Sequence, residues 1–234
     1  MKRYTCLDVI LIVLMGLGVA GVAHACSTCP RKDAELLSAH ETVARYMGLT
    51  AHICRGLTSL CPDRCGDSGA LATFAVVRYL HYEKHGEYGD PQAERLLVLV
   101  EDQHGRPKVP PLVRMAIRDL KEGATVLLSW HHEYVTRNGA SWPERPIVRV
   151  LPIPEAGSAG WMAELDRLVR LRQPGWAGGR PGSEVWMIAV AEAIGVYDSL
   201  GHGPDPGSDE WRDALHRKVF ESEEPAGEAE EQPQ

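Results

Sequence analysis

The chain has 234 residues, 25 of them basic and 32 acidic, for a formal net charge of −7. Six of the acids are glutamates in the last fourteen residues, Glu221 to Gln234; without that tail the balance is 25 against 26. The rest of the chain therefore lacks the basic excess of a nucleic-acid binder, and no nucleic-acid partner is expected.

At the amino terminus, Lys2 and Arg3 precede an apolar run from Val9 to Ala23, and Ala23-His24-Ala25 places small residues at a cleavage site. This is the three-part pattern of a secretory signal peptide. The run is shorter than the ~20 residues of a spanning helix. Residues 1–25 are expected to be removed on export to the periplasm or beyond. Cleavage would leave Cys26 at the new terminus, the position where bacterial lipoproteins carry lipid, although Ala23 stands where a lipobox usually has leucine. Any membrane contact would run through that lipid alone. Export also favours oxidised thiols, which makes Cys26, Cys29, Cys54, Cys61 and Cys65 disulfide candidates. Five is odd, and lipidation of Cys26 would leave four that could all pair.

Residues 26–41 read as a polar lead-in with little pattern. Thr42 to Cys54, Leu71 to Lys84 and Glu94 to Glu101 read as strands, the first interrupted at Gly48. After Pro110-Pro111, apolar residues at helical spacing predict a helix that Gly123 stops. Ala124 to Val135 and Pro146 to Ile153 are two further strands, with Asn138-Gly139 as a hairpin signal between them. Three strands, a helix and two strands are the order of an OB-fold. The expected fold is mainly β with α: a small OB-like five-stranded barrel over residues 42–155, then a short helical repeat region. An OB-fold binds with the loops joining strands one to two and four to five. Here those loops are the cysteine loop 52–69 and the hairpin 136–145. They would bring the candidate ligand-binding residues Arg55, Asp63, Arg64, Asp67, Arg137 and Asn138 to one rim.

The cysteine loop, HICRGLTSLCPDRCGDSG, supports several chemistries. Disulfides would staple it. Alternatively, His52, Cys54, Cys61 and Cys65, with His132 from the fourth strand, form an N/S set suited to zinc or copper. CPDRC is similar to the Cys-Pro-Asp-x-Cys of Sco-type copper chaperones, but the chain lacks their thioredoxin-like order of elements. Thiol–disulfide exchange through Cys61 and Cys65, or Cys26 and Cys29, is a third reading. LTAHIC and GDSG resemble two segments of trypsin-like proteases. His52 and Ser68 are too close in sequence for that order, and no second barrel follows. The loop, the strand after it and WHHEYVTRNG together resemble a family of exported bacterial proteins of uncharacterised activity. The resemblance implies that the loop is a unit and implies no activity.

Beyond Pro154, Gly-Ser-x-x-Trp recurs with Trp161, Trp186 and Trp211 at intervals of 25 residues. Fixed-period similarity signals a repeated structural unit. The serine suits an N-cap, and apolar residues follow at helical spacing, so residues 156–220 should form three short helices with tryptophan in their core. The acidic tail 221–234 has no apolar pattern that could offset ordering and is expected to be disordered. These features predict an exported, non-enzymatic binding protein for a small ligand or envelope component. A periplasmic zinc or copper handler and a thiol oxidoreductase are the alternatives, and no other cofactor is expected.

Overall fold

The computed structural model describes residues 33–53, 68–198 and 200–221. It contains six strands, β1 (Ala34–His52), β2 (Gly69–Lys84), β3 (Arg95–Asp102), β4 (Thr125–Arg137), β5 (Ala140–Glu144) and β6 (Ile147–Pro152). Helix α1 (Pro111–Asp119) lies between β3 and β4; α2 (Ala159–Arg172), α3 (Glu184–Ile194) and α4 (Asp209–Phe220) follow β6. The strands form one antiparallel sheet in the order β3-β2-β1-β4, with β5 and β6 both paired to the free side of β4. The expected last strand is β6, and β5 is an additional strand formed within the expected 136–145 hairpin.

The sheet is not closed into a barrel: among the described residues no ladder joins β3 to β6. Side chains take the place of that ladder. Val113 and Ile117 of α1 are buried in one core with Val98 and Val100 of β3 and Ile147 and Val150 of β6.

The lead-in also differs from expectation, because β1 starts at Ala34. It pairs with β4 from Ala34 and with β2 from Ser38. Its buried side chains here include Ser38, His40 and Thr42, so the period-two alternation is present but written in polar residues. Ser38 Oγ and His40 Nε2 are hydrogen-bonded at 2.8 Å, and Thr42 Oγ1 donates to the Leu128 carbonyl at 3.1 Å. Buried polar groups persist when bonded in this way. Further along, the Gly48 interruption is a bulge: its φ is 109° and the β1–β2 register shifts between Tyr46 and Leu49. Asn138 and Gly139 both have positive φ, as the tight β4–β5 hairpin requires.

Helices cover both faces of the sheet. On the outer face, Val43, Leu80 and Leu127 are buried with Trp161, Trp186 and Trp211. Each tryptophan sits in the first turn of its helix. Ser158, Ser183 and Ser208 cap α2, α3 and α4 by accepting from the tryptophan backbone N–H at 3.1, 3.3 and 3.1 Å. The preceding Gly157, Gly182 and Gly207 have φ of 79°, 86° and 83°. Each glycine lies against the residue after a neighbour's tryptophan: Gly182 against Met162, Gly207 against Met187, and Gly157 against Arg212. The first repeat thus packs on the third as the second packs on the first, and the three helices close into a ring. Trp211 meets both other indoles edge to face, at 6.0 and 6.4 Å between centroids.

Ion pairs fasten the ring to the sheet. Glu164 of α2, almost fully buried, accepts two bonds from Arg149 of β6, at 2.8 and 2.9 Å. Arg167 bridges Glu164 to Glu41 of β1. Burial would raise the Glu164 carboxyl, but bonds from Arg167 and Arg149 outweigh it and hold the group below the usual carboxylate range. No helix among the described residues is long and apolar enough to cross a membrane.

Candidate functional site

Arg55, Asp63, Arg64, Asp67 and all five candidate disulfide cysteines, Cys26, Cys29, Cys54, Cys61 and Cys65, lie outside the described residues. The flanks of the cysteine loop are described. His52 pairs with Gly69 at the last position of the β1–β2 ladder. Gly69 has no room for a side chain, since a Cβ would lie 1.9 Å from the Glu101 carbonyl oxygen. The 136–145 hairpin is at the other end of β1: Arg137 Nε donates to Asp33 Oδ2 at 2.5 Å, and Val135 pairs with Ala34. The loop flanks and the hairpin therefore sit at opposite ends of a nineteen-residue strand and do not form the single rim expected from loop order. Asn138 serves the turn in its left-handed conformation.

His132 is separated from His52 in the same way. It pairs with Ser38, fourteen positions along β1 from His52 (52 − 38 = 14). It is buried, with Nδ1 3.2 Å from Asp90 Oδ1. Among the described residues no group of three or more His, Cys, Asp or Glu side chains could hold a metal ion.

His132 belongs instead to a polar cluster under the β2–β3 loop. Asp90 accepts a bidentate bond from Arg145, at 2.6 and 3.0 Å. Burial would raise the Asp90 carboxyl, but Arg145 more than offsets it and the group is held below its ordinary value. His40 stacks on Trp130 at 4.5 Å and touches the rings of Tyr79 and Tyr82. Burial pushes its pKa down to about 4; Asp90 opposes this, while His132, His131 and Arg145 add to it. His40 is thus a neutral imidazole 1% exposed, and its hydrogen bonds lead inward to Ser38 and Tyr79. This arrangement holds a loop and a strand break in register.

A cleft opens on the outer face, beside the ring of helices. It spans about 1070 Å³ and has Arg45, Thr125, Val77 and Ile153 from the sheet side. Its opposite wall is the end of α4, with His216, Arg217, Lys218 and Phe220, and Val196 closes one side. Arg45 and Thr125 are cross-strand partners, so β1 and β4 place them side by side.

Three cations gather on this lining. Most arginines elsewhere are matched to carboxylates, as in the Glu41, Glu164 and Asp90 groups. Arg45, Arg217 and Lys218 have no carboxylate partner among the described residues. Lys218 instead donates to the Gly195 carbonyl, and Arg78, beside the cleft, to the Lys218 carbonyl. Arg172 lies close enough to Arg78 that this repulsion, added to the larger effect of burial, lowers its pKa. The result is a concentration of positive charge, with Glu221 as the one acid on the lining among the described residues.

His216 adds a polar atom. Its Nδ1 is buried without a partner among the described residues, as are the indole nitrogens of Trp161 and Trp211. The ring explains the pattern. Trp186 Nε1 donates to Asp166, five residues after the previous tryptophan, at 3.0 Å. The equivalent positions for the other two indoles are Ala191, which has no acceptor, and His216, which lines the cleft. Nothing in the sequence order announces this site, because its residues come from six separate elements and connections. The adjacent Arg217-Lys218 at the end of a helix also reads as an ordinary dipole match.

Set against protein-family models, curated proteins and solved structures, the chain matches none.

Proposed function

We propose that the protein is an exported, non-enzymatic binding protein and that the cleft between the outer sheet and α4 holds an anionic ligand. The observation that carries this reading is the set of three cations, Arg45, Arg217 and Lys218, without carboxylate partners among the described residues and gathered around one cleft. Cations gathered at a concave surface raise the local concentration of anions, and a low-dielectric wall strengthens each contact. The secretory pattern of residues 1–25 supports export, and in that setting the cysteines act as staples of the loop. The strand order, with a helix between the third and fourth strands, supports an OB-like ancestry for the opened sheet.

Thermal melts of the mature chain in a panel of inorganic and organic anions test the assignment. At least one anion should raise the melting temperature, and higher ionic strength should weaken the effect. Arg45→Glu with Lys218→Gln should remove it. A panel without any stabilising anion, or a shift that survives the double substitution, overturns the reading.

A further inference from the structure

We infer that the ligand of this cleft is an amphiphilic anion: one acidic head group, carboxylate or phosphate, carried on a long hydrocarbon body. The inference rests on the anion-binding reading above and narrows it by shape and lining. The cleft is open to solvent and spans about 1070 Å³, the volume of about 35 waters at ~30 Å³ each. An inorganic anion or a short carboxylate would fill a small part of it. The cations do not surround the space evenly, because apolar side chains make up much of both walls. Val77, Ile153 and Val196 lie at the edge of the outer core, half-covered by it, and Phe220 on the α4 wall is buried. These are the flank of a hydrophobic core that the ring of helices leaves partly open. A polyanion carrying charge along its whole length would place some of that charge against aliphatic carbon, at a desolvation cost. An acid with a hydrocarbon body meets both kinds of wall, with its head at Arg45 and Lys218 and its chain along Val77, Ile153 and Val196.

The probe is 11-(dansylamino)undecanoic acid, titrated into the full mature chain and followed by dansyl fluorescence. One saturable site per chain is expected, with the neutral methyl ester at least tenfold weaker. Unlabelled acids of eight to twelve carbons should displace the probe with affinity rising about fourfold per methylene. Arg45→Glu with Lys218→Gln, and separately Ile153→Asp, should each weaken binding at least tenfold; circular dichroism melts would establish that both variants fold. Equal competition by inorganic phosphate or acetate would overturn this inference and leave the anion site standing. Failure of the probe and of every other anion would overturn both. Probe binding that neither variant weakens would place it elsewhere and also defeat the inference. Sedimentation with phosphatidylglycerol vesicles, reversed by the free acid, would identify a membrane lipid as the source. Binding of the free acid without sedimentation would identify a soluble one.

Discussion

The inner face of the sheet buries Ser38, His40 and Thr42 beside the core that α1 covers; on the outer face, three helices cover a core built on three indoles. The inner polar side chains are bonded to named partners, and each bond fixes a direction. In the outer core two indole N–H groups meet no acceptor among the described residues, so its cohesion comes from volume and ring contacts. Two ways of burying a sheet thus coexist on its two faces. One should respond to protonation and the other to lost volume.

The largest effect should come from the outer core. Trp211→Ala removes the indole that touches both others and should cost about 3–5 kcal/mol in urea unfolding. A loss below about 1 kcal/mol would mean that the ring is loosely packed and that the contrast fails.

The inner core should show itself through pH. Folding lowers the His40 pKa from 6.5 to about 4. Its neutral form is therefore favoured by the fold, and the associated stability is complete above pH 6.5. As pH falls from there toward 4, the unfolded chain takes up a proton that the folded chain refuses, and roughly 3 kcal/mol should be lost. Below about pH 4 this loss levels off. His40→Gln keeps a hydrogen-bonding side chain and should flatten that part of the stability profile. An unchanged slope would assign the titration to other groups. The Trp211→Ala deficit should stay constant across the same window.

The smallest effect tests the ring. Ser158→Ala, Ser183→Ala and Ser208→Ala should each cost about 1 kcal/mol, the usual loss for an N-cap. Equivalent positions should differ by no more than about 0.5 kcal/mol. A much larger loss at one of them would show that the repeats are not equivalent.

The Gly-Ser-x-x-Trp period located all three outer helices, because cap, turn and core residue recur at fixed spacing and each acts locally. Asn138-Gly139 was legible for the same reason: a left-handed turn admits few residues. The amino-terminal half of β1 was not, since a rule that looks for apolar residues on the inner face meets serine, histidine and threonine there. Loop order alone also did not place the flanks of the cysteine loop, which lie at the opposite end of β1 from the hairpin. Which loops meet depends on how far β1 runs, and the hidden polar strand moved its start by eight residues (42 − 34 = 8). The cleft left no trace in any short stretch. Arg45 and Lys218 are 173 positions apart, and only the fold brings them to one cleft (218 − 45 = 173).

The contact of Gly157 with Arg212 has a consequence for the number of repeats. A linear stack can lengthen by duplication, since each new unit needs only an exposed end on which to sit, and its outermost units need special caps. Here the third unit returns to the first, and no end is offered. A fourth copy would have to open an existing contact before making its own, and loss of any copy would strand two surfaces at once. The array should therefore melt as one body, and its count of three is set by geometry. A chain built this way can vary its loops freely, but it cannot change its number of repeats one at a time.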